Sequence, residues 1–300
     1  MSEAARPAKE NGTPAHGGCG ERASGVLHVV GTPIGNLGDL TPRAAKTLGE
    51  VDFIAAEDTR VTQKLLAHLH LRTPMVSHHE HNRFESGRVI ADRIAAGESC
   101  ALVSDAGMPA ISDPGAELVA LCAERGLPIQ LVPGPSALTG ALALSGFSTG
   151  RFCFEGFLST ARAARMAHLK SLVDETRTMV FYEAPHKLSA TLVDLYAVMG
   201  NRRIVVAREL TKLHEECLRL TLREAVDHFV RTPPRGEFVL IVEGAPEQEE
   251  TLLTEEEAVK LAWRYIREGY SLRDAARRAS SQTGHPRRML YEALLGMEKE

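Results

Sequence analysis

The chain has 300 residues, of which 44% are apolar and 25% are charged, so two domains or one large α/β unit with an appendage are expected. Its formal charge of -4 argues against a uniformly basic nucleic-acid-binding protein. No apolar run approaches the roughly 18–20 residues that span a bilayer, and the N-terminus lacks the apolar core of a signal peptide. We therefore expect a cytoplasmic protein with no membrane partner.

Cysteine usage points the same way. The five cysteines are odd in number and scattered, and no two form a CxxC pair. This pattern argues against both a disulfide framework and a thiolate zinc site. Reduced cysteines that mostly fill the core are expected.

The first part of the chain predicts an α/β domain over residues 26–147. Residues 1–25, rich in Ala, Gly, Pro and charged side chains, are instead predicted to be a disordered tail. Apolar runs then alternate with helix-like segments, which is typical of a parallel sheet covered by helices. The four predicted strands are "LHVVGT", "VDFIAAE", "SCALVSD" and "IQLVPG". The loop after each strand is a candidate ligand site.

Helix boundaries in this domain are marked by caps. Thr41 is predicted to cap a helix that begins at Pro42, whose fixed φ suits a first helical position. Gly126 is predicted to end a helix that starts near Ala116.

A second α/β domain is predicted over residues 148–246. Its strands are "RFCFEGF", "TMVFYEA", "RIVVAREL", "ECLRLTL" and "GEFVLIVEG", with helices over 161–173 and 187–199. The segment "ECLRLTL" alternates apolar and polar residues, which predicts a half-exposed, antiparallel strand.

Residues 252–300 contain no strand signal and form the third predicted domain. Three helices are predicted over 255–267, 272–282 and 287–298, and Gly284 and Pro286 separate the last two. The spacing fits a helix-turn-helix unit, and it also fits a small helical cap that packs on the second domain. From Lys260 to Leu290 there are eight Lys or Arg and two acidic residues, a net charge of +6.

Two motifs early in the chain are candidates for ligand contact. In "GTPIGNLGD" the spacing is neither GxGxxG nor GxxxxGK[ST], so a dinucleotide fold or P-loop is disfavoured, but three glycines allow close approach to another surface. In "AAEDTR", Asp58 is a candidate proton acceptor at a strand end, and a helix cap or an ion pair with Arg60 is the structural alternative.

The run "SHHEHN" raises the question of a metal site. It lacks a helical ligand pair such as HExxH, so a polar loop is favoured and no metal is expected.

The segment "SDAGMPAISDPG" contains two Ser-Asp pairs with different expected roles. Asp105 ends a strand, where its carboxylate can accept hydrogen bonds from a ligand, and Gly107 leaves room beside the backbone. Asp113 precedes Pro114 and Gly115 and is predicted to be a helix N-cap. At the next strand end, Ser136 begins a helix whose N-terminus favours anions.

Charged side chains also follow the strands of the second domain. "FYEAPHKL" and "RELTKLHEE" contain Glu183, Glu209 and Lys212. Structural ion pairs account for such residues as well as a ligand site does.

In order, "VGTPIGNLGDLTPRA", "EDTR", "SDAGMPAISDPG", "VPGPSA", "FEGFL", "FYEAPHK", "RELTKLHEE" and "GEFVLIVEG" resemble the tetrapyrrole methylase superfamily. Within it, they are most similar to the ribosomal RNA small subunit methyltransferase I family, and the helical tail resembles that family's C-terminal extension. The resemblance implies a cofactor cleft between two α/β domains and S-adenosylmethionine-dependent methylation of a cytidine 2'-hydroxyl in 16S rRNA of the small ribosomal subunit. It also implies a homodimer.

Carried onto this chain, the resemblance assigns cofactor contacts to both domains. The implied residues are Thr32, Pro33, Asp105, Ala106, Gly107, Ile111, Ser136, Ala137, Phe181 and Tyr182. Met108 stands where the family pattern has Thr, which removes a hydroxyl contact there and leaves an apolar wall.

The expected chemistry is in-line methyl transfer, for which positioning supplies about 7–11 kcal/mol. If a base takes part, the candidates are Asp58, Glu183 and Glu209, and Lys212 is a candidate for orienting phosphate or lowering the pKa of the hydroxyl. The residues predicted to bind RNA are Arg60, Arg162, Arg165, Arg277, Arg278, Arg287 and Arg288.

Two alternative functions stay open at this point. A tetrapyrrole C-methyltransferase has the same fold, although a basic helical tail is an unnecessary addition for a small acidic macrocycle. A non-catalytic nucleic-acid-binding regulator that senses a nucleotide-like ligand is the other alternative.

Overall fold

The computed structural model describes residues 25–246 and 253–297. These residues form two compact units, one that ends at Ala245 and one that begins at Pro246. The predicted disordered tail therefore lies, apart from Gly25, outside the described residues, as does Cys19. In the described ranges, no helix is long and apolar enough to cross a membrane.

The first half of the first unit is a five-stranded parallel sheet with strand order β3-β2-β4-β1-β5. Its elements are β1 Leu27–Val30, α1 Pro42–Glu50, β2 Phe53–Ala56, α2 Thr59–His68, β3 Met75–Ser77, α3 Arg83–Ala95, β4 Cys100–Val103, α4 Ala116–Glu124, β5 Ile129–Val132 and α5 Ala137–Ser145. The four predicted strands are confirmed, and the three-residue β3 is an edge strand that the sequence analysis did not predict. Helices cover both faces of the sheet, and each face has a separate apolar core between the sheet and its helices.

The second half contains a mixed sheet with strand order β6-β7-β10-β8-β9. Its elements are β6 Phe152–Phe157, α6 Arg162–Ser171, β7 Thr178–Glu183, α7 Pro185–Met199, β8 Arg203–Arg208, β9 Glu216–Thr221, α8 Leu222–Arg231 and β10 Phe238–Val242. Strands β6 and β7 are parallel, whereas β10 and β9 run antiparallel to their neighbours. The prediction that "ECLRLTL" is an antiparallel strand is confirmed, since it forms the edge strand β9.

Helix α8 was not predicted, although its start carries a strong signal. Thr221 accepts a hydrogen bond from the amide of Glu224, and the Glu224 carboxylate accepts one from the amide of Thr221. This capping box follows β9 without a loop. The strand pattern therefore runs directly into the helix and hides its boundary.

The second unit consists, in its described residues, of helices joined by short turns. It contains α9 Glu255–Arg267, α10 Leu272–Thr283 and α11 Arg287–Met297, which pack around small alanines and two leucines. Gly284, with φ +70°, ends α10 and is followed by a short turn that leads to α11. The three predicted helices and the short turn are confirmed.

Candidate active site

A cleft of about 480 Å³ lies between the two sheets of the first unit. Its first wall is formed by the loops that follow the carboxyl ends of β1, β2, β4 and β5, where open α/β sheets bind ligands. Its second wall is formed by residues of β6, β7, β8 and β10 and by the start of α7. The volume falls within the range of small-molecule sites.

The loops after β1, β4 and β5 approach one another closely through their backbones next to the cleft. Thr32 and Gly107 exchange two backbone hydrogen bonds of 2.9 and 3.1 Å. A Cβ on Gly31 would lie 2.6 Å from the amide nitrogen of Gly134, so the glycine lets the loops after β1 and β5 touch. The expectation that the glycine cluster allows a close approach is confirmed.

Thr32 and Pro33, predicted to contact a cofactor, do not line the cleft. The Thr32 hydroxyl donates within the loops, with carbonyl oxygens of Ser104 and Gly107 at 3.3 and 3.4 Å. Ile34 lines the cleft instead. Thr32 therefore holds the loops after β1 and β4 together, and Ile34 presents its side chain to the cleft.

The loop after β4 lines the cleft with Asp105, Ala106, Gly107, Met108 and Ile111. This placement agrees with the residues predicted there and puts Met108 in the lining as an apolar group. Gly107 has φ +83°, a conformation that favours glycine.

Asp105 is braced against the end of β2. One of its carboxylate oxygens accepts a hydrogen bond of 3.1 Å from the amide of Asp58, and its own amide donates to Glu57 at 3.2 Å. Burial is the main cause that raises the pKa of both the Asp105 and the Glu57 carboxyl. Glu57, which the sequence analysis did not select, lines the cleft because it directly follows the buried strand β2.

Asp113 does not cap a helix, so that prediction is wrong. The N-cap of α4 is Gly115, with φ +126°, and no side chain caps the helix. A Cβ on Gly115 would lie 2.7 Å from the Leu102 side chain, so the backbone packs directly on β4 where α4 begins. Asp113 instead lines the cleft, where burial, and then the Glu57 carboxylate, raises its pKa to about 6.

The start of α5 and strand β7 complete the lining. Ser136, Ala137 and Tyr182 face the cleft, and the Tyr182 hydroxyl accepts a hydrogen bond of 3.1 Å from the amide of Leu138. Phe181 is fully buried in the core on the opposite face of the sheet, so its predicted cofactor contact is wrong. Adjacent residues of a strand point to opposite faces, and only one of the pair can reach the cleft.

None of the three predicted bases is a free carboxylate. Asp58 caps α2 and pairs with Arg60 at 2.6 Å, and the hydrogen bonds from Arg60 lower its pKa to about 2. Glu183 is buried, accepts a hydrogen bond from Thr191 at 2.5 Å and forms an ion pair with Lys187 at 3.0 Å. Such contacts hold the start of α7 in place.

Glu209 and Lys212 form an ion pair of 2.9 Å at the edge of the second sheet. Burial alone raises the pKa of Glu209, but hydrogen bonds from Lys212 and from the amide of Glu237 outweigh it and lower the pKa. A Cβ on Gly35 would lie 2.3 Å from the Lys212 stem, so this side chain packs on the glycine-rich loop after β1. Lys212 thus connects the two halves of the unit.

Known proteins are similar to this chain in sequence and in fold. A family model described as tetrapyrrole (corrin/porphyrin) methylases matches residues 26–226. A Synechocystis protein named ribosomal RNA small subunit methyltransferase I is 47% identical over 277 residues, which are 92% of this chain and 99% of that protein. The chain belongs to the tetrapyrrole methylase family. Within it, the chain belongs to the ribosomal RNA small subunit methyltransferase I group.

Two further relatives define what this membership covers. A Thermotoga maritima protein with the same name is 48% identical over 220 residues, which are 99% of that protein and 73% of this chain. The crystal structure of a Thermus thermophilus uroporphyrin-III C-methyltransferase with S-adenosylhomocysteine superimposes with a TM-score of 0.53 at 19% identity, and covers 73% of this chain and 97% of that one. This structure shows the methylase fold, and both comparisons leave about a quarter of the present chain unmatched.

Three arginines of the methylase unit were predicted to bind RNA. Arg60 and Arg162 are exposed, although Arg60 pairs with Asp58 and Arg162 with Asp194. Arg165 is buried, with 7% of its side chain exposed, and pairs with Asp194 at 2.8 Å. The RNA prediction for Arg165 is therefore wrong, because its charge neutralises a buried carboxylate.

The four arginines predicted in the tail are exposed. Arg277 pairs with Asp274 and Arg288 with Glu292, each at 2.8 Å, and Arg278 lies over the ring of Tyr270 at 4.3 Å. Exposed ion pairs of this kind contribute little to stability, so their cations exchange readily onto other anions.

The histidine run is structural in part. His78 is buried, with its Nδ1 atom 2.8 Å from the hydroxyl of Ser86, while the rings of His79 and His81 lie edge to face at 5.9 Å. Within residues 25–246 and 253–297, no group of three His, Cys, Asp or Glu is arranged to hold a metal ion.

Proposed function

We propose that this protein transfers the methyl group of S-adenosylmethionine to the 2'-hydroxyl of a cytidine in 16S rRNA. The observation that carries the proposal is the near full-length similarity, at 47% identity, to a protein named ribosomal RNA small subunit methyltransferase I. The cleft between the two sheets is our candidate for the cofactor site, and the proposal is supported by a structure of the same fold that was solved with S-adenosylhomocysteine.

The chemistry of the cleft fits this cofactor. Its lining contains five carboxylates and, among the lining residues, neither Lys nor Arg. The five are Glu57, Asp105, Asp113, Glu183 and Glu237. Because a sulfonium and an amino group are both cationic, an acidic and partly dehydrated cleft favours them.

Residues on both walls are placed to hold the cofactor. Asp105 supplies an acceptor, Gly107 leaves room beside the backbone, and Ile34, Met108 and Ile111 form an apolar wall. Ser136 and Ala137 belong to the same wall, and Tyr182 lines the opposite wall. When bound, the cofactor supplies the methyl group, and the protein supplies orientation.

Asp113 is the residue that we assign to accept the proton of the ribose hydroxyl. It lines the cleft near Glu57, Asp105 and the phenol of Tyr182. Burial, and then the carboxylates of Glu57 and Asp105, raise its pKa to about 6. A base works best when its pKa lies near the working pH. The pKa values of Asp58 and Glu209 are lowered instead, and the Glu183 carboxylate is engaged by Thr191 and Lys187. Asp113 therefore replaces these three residues as the candidate.

The basic tail is proposed to bring the RNA to the methylase unit. Its net charge of +6 between Lys260 and Leu290 is set against -4 for the whole chain, and phosphate contacts dominate nucleic-acid affinity. The shorter Thermotoga protein matches this chain over a length close to that of the first unit, so we assign the chemistry to that unit and RNA affinity to the tail. A homodimer remains a prediction of the family resemblance, and a cytoplasmic location remains a prediction from the sequence.

Two alternatives make different predictions. A tetrapyrrole C-methyltransferase would methylate an acidic macrocycle, but the tetrapyrrole enzyme compared above is only 19% identical and shares the fold alone. A non-catalytic regulator would bind the cofactor and RNA without methyl transfer.

One experiment separates these functions. The protein is incubated with tritiated S-adenosylmethionine and, in parallel, with free 16S rRNA, assembled 30S subunits and uroporphyrinogen III. We expect label in the RNA, at a cytidine whose 2'-oxygen resists alkaline cleavage after modification. Label in the macrocycle, or in neither class of substrate, would contradict the proposal.

A further inference from the structure

Phe157, the last residue of β6, presents an aromatic ring to the cleft. Its side chain lines the second wall and is 54% exposed. An exposed phenylalanine at the edge of a ligand site requires an explanation, because most large apolar rings of the described residues are packed in the cores. The conformation of β6 around Phe157 explains why its ring is exposed.

A bulge in β6 sets the direction of the ring. The register against β7 shifts between Phe154 and Gly156, so that Phe154 pairs with Val180 and Phe157 with Tyr182. In a regular strand, residues three apart face opposite sides. The extra residue places the rings of Phe154 and Phe157 on the same face, 4.9 and 5.5 Å from the ring of Tyr182.

Gly156 makes this bulge compatible with the cleft. It has φ +61°, and a Cβ at this position would lie 3.4 Å from the hydroxyl of Ser112 in the loop after β4. The bulge therefore brings β6 against the opposite wall and aims Phe157 into the space beside it.

The ring is held before any ligand arrives. The Lys187 ammonium lies 5.6 Å from its centroid, and is fixed by Glu183 at 3.0 Å and by the carbonyl of Leu158 at 3.2 Å. Tyr182 packs on the ring from within the sheet and is itself hydrogen-bonded to the start of α5. A ring fixed on one side and exposed on the other is a stacking platform.

We propose that Phe157 stacks on the base of the nucleotide to be methylated. The inference rests on the proposed function and names a positioning residue for it. Single-stranded RNA is recognised by stacking of unpaired bases on aromatic side chains. Removing such a ring weakens binding about 5- to 150-fold per base. Since RNA reaches the cleft from solvent, an exposed ring at its wall meets the incoming base, and the ribose then follows into the cleft beside the carboxylates.

The test uses the full-length protein and compares Phe157→Leu with Phe157→Trp. Phe152→Leu is a matched control, because Phe152 is the other exposed phenylalanine of β6, 37% exposed, and does not line the cleft. Methylation of 30S subunits or rRNA gives kcat/KM, and calorimetry gives the affinity for S-adenosylhomocysteine. Stacking itself is followed by the fluorescence quenching of an RNA oligonucleotide that carries pyrrolocytidine at the target position.

We expect Phe157→Leu to lose about 5- to 150-fold in kcat/KM and to lose the quenching, with cofactor affinity within about twofold of wild type. Phe157→Trp should restore both, and Phe152→Leu should behave as wild type. A parallel loss of S-adenosylhomocysteine affinity would overturn the proposal by placing the cofactor's adenine on the ring, and so would unchanged quenching in Phe157→Leu. If the wild-type protein labels no RNA, the proposed function fails first; if wild type labels RNA and Phe157→Leu equals it, only the stacking proposal fails.

Discussion

The cleft of the first unit and the helical array of the second carry opposite charge. Carboxylates dominate the polar lining of the cleft, whereas arginines cover exposed positions of α10 and the start of α11. A small cation and a polyanion require opposite fields, and a chain that binds both keeps them on separate surfaces. Net charge of the whole chain, at -4, therefore describes neither site.

The largest expected effect concerns the acidic cleft. Asp113→Asn should lower kcat about 10²- to 10⁴-fold, the usual contribution of a positioned base. In the wild type, kcat/KM, which reports groups of the free enzyme, should fall as pH drops through about 6, because the carboxylate becomes protonated there, and this inflection should be absent in the variant. Rates from pH 5 to 8 measure it, with the exposed Glu50→Gln of α1 as control. An unchanged inflection would exclude Asp113 as the base.

A second pair of variants tests whether an arginine can be assigned to RNA binding without regard to its burial. Arg165→Ala should lower the free energy of unfolding by about 3 kcal/mol, because it removes a partner of the buried Asp194 carboxylate. Arg162→Ala removes an exposed partner of the same carboxylate and should cost less than about 1 kcal/mol. Urea unfolding of both variants measures the difference. Equal losses in the free energy of unfolding would mean that the buried Arg165 contributes no more to stability than the exposed Arg162.

The basic tail is tested by replacing Arg277, Arg278, Arg287 and Arg288 together with Ala. RNA affinity should fall roughly 10- to 100-fold near 0.1 M salt, and the slope of log affinity against log salt should become shallower by about 3. The corresponding four Lys replacements keep the charge and should keep the slope. Filter binding over a salt series measures both, and calorimetry should give an unchanged cofactor affinity. An unchanged slope in the Ala variant would separate the tail from RNA binding.

The smallest effect is a gain in stability from the same cleft residue. The folded-state pKa of Asp113 is raised from 3.8 to about 6, so the folded state holds a proton that the unfolded state has lost between these values. Stability therefore falls as pH rises from about 4 to 6 and stays lower above. Asp113→Asn should raise the free energy of unfolding at pH 7.5 by about 1–2 kcal/mol, after solvent screening. A loss of stability would instead restore Asp113 as a helix cap.

Sequence patterns predicted the elements better than the faces those elements present. The three tail helices, the cap at Thr41 and the edge strand β9 are local features, and all agree with the structure. Phe181 and Arg165 were misassigned because a residue type does not reveal whether it faces a core. Asp113 was misassigned because its neighbours suggest a cap, whereas α4 begins at Ala116 and its N-cap position is Gly115, which packs on β4. Phe157 depends on a bulge, which alternation alone does not predict.

The contact between the loops at Gly31 and Gly134 affects which amino-acid substitutions this protein tolerates. Because the loops after β1, β4 and β5 are held together by backbone hydrogen bonds and by a close glycine contact, their packing does not depend on the side chains that line the cleft. Substitutions among lining residues should therefore alter ligand preference while the fold persists, whereas a methyl group added at either glycine should separate the loops. A library of variants should therefore keep the fold at many lining positions and lose it when either glycine is replaced.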